Sequence, residues 1–180
     1  IGRDEGPRID AGLRVDWPSG GAAQWTPRVG AQLPIGDQGF EVKASYARGF
    51  KQPSLFALGF PLIANPALKD ERSETIDAGL VWADPAGLAT LSLTYFRSVF
   101  SDLIDFEPAL FTNVNRDRVE AEGIEAAMHA RLDRVSVRAA LTHQSVRAED
   151  GSTLRFRPDW TGRVAVNWQV TGNFDLRAEA

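Results

Sequence analysis

The sequence predicts an all-β protein, a transmembrane antiparallel β-barrel fragment of about nine strands joined as a meander. Three observations carry this reading. Apolar and polar residues alternate with a period of two over segments of about ten residues, longer than the five or six usual in a soluble sheet. The connections between segments alternate between tight turns and longer loops. Aromatic residues, among them Trp17, Trp25, Tyr46, Trp82, Tyr95, Trp160 and Trp168, gather near the segment ends on or close to the apolar face, as an interfacial girdle does.

Taken in order, the first strand is Ile9 to Trp17, with Ile9, Ala11, Leu13, Val15 and Trp17 opposite Asp10, Gly12, Arg14 and Asp16. Residues 18–24 are a loop by composition. The second strand runs from Trp25 to Ile35, and Gly36-Asp37-Gln38-Gly39 turns it into a third, Phe40 to Arg48. A long connection with three prolines, 49–72, is expected to lack regular structure. The most regular stretch then follows. Ile76, Ala78, Leu80 and Trp82 share one face, Asp84-Pro85-Ala86-Gly87 turns the chain, and Ala89, Leu91, Leu93 and Tyr95 alternate with Thr90, Ser92 and Thr94. A second long connection is expected over 100–117, with the preceding arm reaching toward Phe106. Ile124 to Leu132 and Val135 to Leu141 form the next pair around Asp133-Arg134, and 147–159 is a polar loop. Val164 to Val170 and Phe174 to Ala178, around 171–173, complete the count. All tight turns fall on one rim and all longer loops on the other, the pattern of outer-membrane barrels. A long-stranded soluble barrel or sandwich is the competing reading, because alternation alone also suits a solvated outer face.

The 180 residues contain no cysteine, which removes disulfide scaffolds, Cys-based metal sites and thiol catalysis. No run approaches the roughly 18 apolar residues of a membrane helix, a test that barrel strands pass beneath. A net charge of −4 with interspersed signs argues against nucleic acid as a partner. The glycines form no phosphate-binding loop, no G-x-S-x-G elbow is present, and His129 and His143 lie in separate strands without metal-ligand spacing. Asp102, Asp105 and Glu107 match no calcium-loop spacing and read as solvated loop. The sequence therefore predicts neither an enzyme nor a cofactor. Opposite the aliphatic face lie Glu41, Lys43, Asp77, Glu125, Arg131, Arg138, Arg163, Asn167, Asp175 and Arg177, which in a membrane-embedded wall must look into a wet lumen or onto a polar plug.

Several motifs in succession resemble those of the TonB-dependent outer-membrane receptors, in particular the vitamin B12 and siderophore receptor group. YARGFKQPSLFAL, from Tyr46, supplies Gly49, Phe50, Lys51 and Pro53 at matching places. NPALKDERSETIDAGL supplies Asn65, Pro66 and Leu68, with Asp70 where the family has proline and Asp77 where it has glutamate. TYFRSVFSDLIDF is similar to a further family segment, TNVNRDRVEAEGIEAAM places Asn115, Gly123, Ile124 and Glu125, and FRPDWTGRVAVNW carries the arginine–proline step before a later strand. The resemblance implies a 22-stranded barrel in outer-membrane lipid of a bacterial cell, a plug domain in its lumen, and a TonB box through which TonB, ExbB and ExbD deliver energy. Plug, TonB box and final strands are not found in residues 1–180, which are expected to be an internal portion of the barrel wall.

The motif residues are read as structural. Gly49 and Gly123 permit close packing or bends, Asn65 and Asn115 cap turns, and Asp77 and Glu125 pair with basic groups on the plug or a neighbouring strand. Ligand contact is expected in the loops, where Phe56, Phe60, Phe106 and Phe111 meet an apolar surface of a small-molecule or metal-chelate ligand and Arg116 and Arg118 meet an anionic one. The function implied is active uptake of a ferric siderophore, haem or cobalamin. A passive porin-like channel and a β-domain for adhesion or ligand binding are the alternatives.

Overall fold

In the computed structural model, which describes residues 6–18, 23–151, 157–172 and 174–180, alternation becomes a single nine-stranded sheet. Its strands are β1 (Arg8–Asp16), β2 (Gln24–Ile35), β3 (Phe40–Lys51), β4 (Glu71–Ala83), β5 (Ala89–Glu107), β6 (Thr112–Leu132), β7 (Val135–Ala148), β8 (Trp160–Thr171) and β9 (Phe174–Glu179). Each strand pairs antiparallel with its neighbours in sequence, in the order β1 through β9 without a crossover. A five-residue helix, α1 (Leu55–Gly59), lies in the connection between β3 and β4.

Register fixes the faces. Val42 lies opposite Leu80, Leu80 opposite Leu93, Leu93 opposite Ala126, and Ala126 opposite Leu141, so the aliphatic residues form a continuous row across five strands. A one-residue slip in any pair would move that strand's set to the other face. The two faces belong to a wall rather than a two-layer core. Among the described residues only Ala57, Val119 and Ala165 are buried hydrophobics, whereas Leu13 is 59% and Leu93 55% exposed. A soluble sandwich of this size would bury most of its aliphatic face against a second sheet. Here that face is left open, as hydrocarbon requires.

Both edges of the apolar band are marked. Near the tight turns Trp82 donates its indole N–H to the carbonyl of Gln38 at 3.1 Å, and Trp168 stands opposite Leu176. Near the longer loops Tyr46, Tyr95 and Trp160 lie on the same face, with His143 stacked on Trp160 at 4.3 Å. Just beyond them the face turns charged. Arg48 donates to the Tyr46 hydroxyl at 2.7 Å and pairs with Glu74, while the Tyr95 hydroxyl donates to Glu122 at 3.3 Å. Tyrosine bridges the two media because its ring is apolar and its hydroxyl is not.

One expectation is overturned. Residues 100–117 are not a long connection, because β5 and β6 continue through them as a hairpin and only residues 108–111 lie between the strands. β4 leaves β5 at Ser101 and β7 leaves β6 at Val119, so 103–107 and 112–116 pair only with each other. At about 3.3 Å per residue these five pairs project roughly 17 Å beyond the wall. The 49–72 connection is also shorter and more ordered than expected, with strand to Lys51, α1, and strand again from Glu71. The loops at 18–24 and 147–159 fall partly outside the described residues.

Candidate functional site

The connection containing α1 and the projecting hairpin form one body. Pro53 precedes Ser54, whose hydroxyl accepts the Ala57 N–H at 3.1 Å and caps α1. Buried Ala57 accepts at its carbonyl from the Asn65 N–H at 2.9 Å, which folds the chain back over the helix. Asn65 closes its own turn by accepting from the Ala67 N–H at 3.0 Å, and its amide donates to the carbonyl of Asn113 at 2.9 Å. The Ile63 carbonyl in turn accepts from Thr112 Oγ1 at 3.1 Å and Asn113 Nδ2 at 3.2 Å. Asn115 completes the clasp. Its Oδ1 accepts the Lys69 N–H at 2.9 Å, and its Nδ2 donates to the carbonyls of Lys69 at 3.2 Å and Asp102 at 2.6 Å.

Asp102 is the bend in this assembly. Its φ of 57° lies in the left-handed region, sparsely populated outside glycine, asparagine and aspartate. It sits where β5 leaves β4, with Lys69 Nζ 3.7 Å from its carboxylate. Below it, Glu71 accepts the Ile104 N–H at 3.0 Å and pairs with Lys51 at 3.2 Å, tying the hairpin base to the tops of β3 and β4.

The body carries two aromatic pairs, one on the α1 connection and one on the hairpin. Phe56 and Phe60 stack at 4.5 Å between centroids, and Phe106 meets Phe111 edge to face at 5.5 Å. Phe111 holds a φ of 52° at the hairpin tip. Around them Leu55 is 89% exposed, Leu62 70% and Leu110 68%. Packing within each pair therefore leaves apolar residues open to solvent on both the α1 connection and the hairpin tip.

The arginines expected to meet an anion are already engaged. Arg116 lies between Asp105 at 3.2 Å and Glu107 at 2.9 Å. Partial burial opposes its charge, but hydrogen bonds to Glu107 and Asp105 outweigh that and hold the guanidinium's pKa above its ordinary value. Arg118 shares Glu120 with Arg97, at 3.5 Å and 2.7 Å. The hydrogen bond from Arg97 holds the Glu120 carboxyl below its usual value. Asp102, Asp105 and Glu107 thus face cations of the protein's own chain. Among the described residues no cluster of three or more His, Asp or Glu is arranged to hold a metal ion.

Most of the remaining motif residues lie in the wall. A Cβ on Gly49 would come 2.8 Å from Ser73 Oγ. At Gly123 it would come 2.3 Å from the His143 carbonyl oxygen and 2.8 Å from Phe96, which covers the glycine from the next strand. Asp77 accepts from Ser45 Oγ at 2.8 Å on neighbouring β3, and Glu125 lies opposite Thr94 and Thr142. Phe50 lies opposite Arg72 near the top of the wall, while Pro66 and Leu68 lie in the loop between Asn65 and Lys69. Sequence reasoning missed Thr112, Asn113 and Glu71, whose partners lie on other segments of the chain.

Comparison with known proteins agrees with this geometry. The sequence model of the family described as TonB dependent receptor-like, beta-barrel, matches residues 5–179. The ferric enterobactin receptor PirA of Pseudomonas aeruginosa is 26% identical over 92% of this chain and 26% of its own length. The vitamin B12 transporter BtuB of Vibrio vulnificus is 30% identical over 64% of this chain and 19% of its own. The crystal structure of PirA from Pseudomonas aeruginosa superposes with a TM-score of 0.77 at 23% identity, covering 97% of this chain and 36% of that one. A ferric enterobactin receptor (PfeA) mutant from the same organism gives 0.78 at 21% identity, covering 97% and 29%. The chain spans about a quarter or less of the curated relatives it matches. With a nine-stranded meander wall and a family match over nearly all its residues, the chain belongs to the TonB-dependent receptor β-barrel family, receptors of the bacterial outer membrane rather than enzymes.

Proposed function

We propose that residues 1–180 are part of the barrel wall of a receptor that actively takes up a scarce nutrient, a ferric siderophore, haem or cobalamin. In this reading the loop body lies outside the cell, a plug occupies the lumen, and TonB with ExbB and ExbD supplies energy through a segment elsewhere in the protein. The observation that carries it is the exposure of Leu55, Phe56, Phe60 and Leu62 on the α1 connection and of Leu110 and Phe111 on the hairpin tip, two segments hydrogen-bonded to each other above a wall with a polar inner face. A loop needing only to be soluble would not display so much apolar surface. Because Arg116 and Arg118 are committed to carboxylates, the aromatic residues are the ligand-contacting group and the two arginines hold the platform in shape. The relatives' names, a ferric enterobactin receptor and a vitamin B12 transporter, support the substrate class without choosing within it.

The test is uptake by cells expressing the full-length receptor, with labelled ferric chelate, haem or cobalamin supplied below equilibrating concentrations. One substrate should accumulate against its gradient, and accumulation should cease without TonB. Equilibration that is indifferent to TonB would make the protein a passive channel. No uptake, with the protein soluble and monomeric without detergent, would make it a binding domain.

A further inference from the structure

The charges of the loop body are matched within the chain. Residues 49–72 and 101–118 carry five basic and six acidic side chains, so the body is slightly acidic as a whole. Four of the five cations are held by carboxylates. Lys51 meets Glu71 at 3.2 Å, Lys69 meets Asp102 at 3.7 Å, and Arg118 meets Glu120 at 3.5 Å. Arg116 is held twice, by Asp105 at 3.2 Å and Glu107 at 2.9 Å. The fifth, Arg72, keeps the outward register of Glu74 and Ile76 on β4.

Register also separates the two sides of the projecting hairpin. Arg116 and Arg118 alternate along β6 with Asn113, Asn115 and Asp117, and Phe106 lies opposite Asn113. The ion pairs of Arg116 therefore occupy one side, and the clasp to the α1 connection occupies the other. β6 carries this alternation unbroken into the wall, where Arg118, Glu120 and Ile124 share the outward face. Both arginines thus stand on the side that continues the lipid face. The side that continues the inner face presents Phe106, two asparagines and acidic Asp117. The α1 connection adds the exposed apolar groups Leu55, Phe56, Phe60 and Leu62.

An anionic ligand is gripped by cations with free donors, and the planar fork of Arg116 is already engaged by two carboxylates. Further negative charge beside Asp105, Glu107 and Asp117 would set like charges together, which weakens binding. An uncharged ligand meets the aromatic and leucine side chains without that penalty. We infer that the ligand these loops accept is a chelate or macrocycle without net charge, and that Asp105 and Glu107 determine this specificity by holding Arg116 neutralised. The inference rests on the uptake reading and narrows it. An uncharged ferric trihydroxamate or a corrinoid fits, whereas a ferric tris(catecholate), a trianion, and haem with its ionised propionates are turned away.

The test measures binding to the purified full-length receptor, at low and high salt, of an uncharged ferric trihydroxamate, cyanocobalamin and a ferric tris(catecholate). One of the uncharged probes should bind, and the trianion should bind at least roughly tenfold more weakly. Glu107 also accepts the Ala109 N–H at 3.1 Å through an oxygen that glutamine retains, so Asp105→Asn with Glu107→Gln removes charge and keeps the tip turn. This double variant should raise trianion affinity about tenfold at low salt and less at high salt, with the uncharged probe binding as before. Adding Arg116→Gln should abolish the gain, which a merely loosened loop would not do. Trianion binding as tight as that of the uncharged probes in the unaltered receptor, or a double variant without the gain, would overturn the inference and leave uptake standing. Binding of none of the probes, with no TonB-dependent accumulation of any, would overturn the uptake reading itself.

Discussion

Asn115→Ala should release the loop body without loosening the wall. The side chain accepts one hydrogen bond from Lys69 and donates two, to Lys69 and Asp102, and both bonds to Lys69 span 46 residues. At about 0.5–1.5 kcal/mol net per bond, and toward the lower end because the site is half exposed, their joint loss costs roughly 2 kcal/mol. At 1.36 kcal/mol per decade this is about a thirtyfold rise in the population of the opened loop. Hydrogen exchange followed by mass spectrometry on the full-length receptor reads it directly. Amides of residues 60–70 should lose about thirtyfold in protection while β3 and β4 below Gly49 stay as they were. Asn115→Asp retains the acceptor for Lys69 N–H but loses both donors, so it should fall between. Unchanged protection over 60–70 in Asn115→Ala would show that this side chain does not couple the two loops, and loss spread evenly into the wall would show that loop and barrel open together.

Three further outcomes follow from the faces and rims of the sheet. Cysteine at Leu55 or Leu110, both more than two-thirds exposed, should react with an impermeant maleimide on intact cells, and cysteine at Gln38 should not; reaction at Gln38 alone would invert the orientation. Leu93→Arg should lower barrel stability by about 2–4 kcal/mol in a liposome refolding assay if Leu93 lies near the midplane, whereas Ser92→Arg, facing inward, should cost far less; equal costs would refute the face assignment. Gly123→Ala should destabilise by about 1–3 kcal/mol or more, because the nearest obstacle at 2.3 Å is a backbone oxygen that cannot swing aside, and Phe96→Ala in the same background should recover little of that loss.

The sequence reveals the part of each strand that crosses apolar surroundings, because there only one face meets water and alternation records the difference. It conceals the rest for the same reason. From 101 to 118 the β5–β6 hairpin stands above the apolar band, so Asp102, Asp105, Glu107, Arg116, Asp117 and Arg118 show no period, while the backbone ladder keeps its register on either side of the bend at Asp102. Charge there reads as loop although it is strand. The site behaves likewise. Asn115 stands out in its motif, yet its partner Lys69 lies 46 residues away, and no local pattern announces it. Arg116 looks available to an anion until register places Asp105 and Glu107 on its own face. Arg138, Arg163 and Arg177 are identifiable singly as inward residues, but their meeting on neighbouring strands depends on the β7–β8 and β8–β9 pairings together.

A wall with almost no core has to draw its stability from elsewhere, and the sheet indicates where. With only three buried hydrophobic residues among those described, area buried between side chains contributes little, and the backbone ladders from β1 to β9 are the main internal bonds. In hydrocarbon those ladders are worth more than in water, since each unpaired backbone group costs several kcal/mol there. The same reasoning forbids a free edge. β1 and β9 each present an unpaired side, and in a bilayer that side must be met by another strand. Closure is therefore a condition of stability for this wall, and the apolar face, the inward charges and the loop platform hold their positions only within a closed barrel. Water would serve the two edges but strand the aliphatic face, and the bilayer would serve the face but strand the edges. A protein of this family that folds in the outer membrane satisfies both by closing the sheet, and the polar inner face then encloses a lumen.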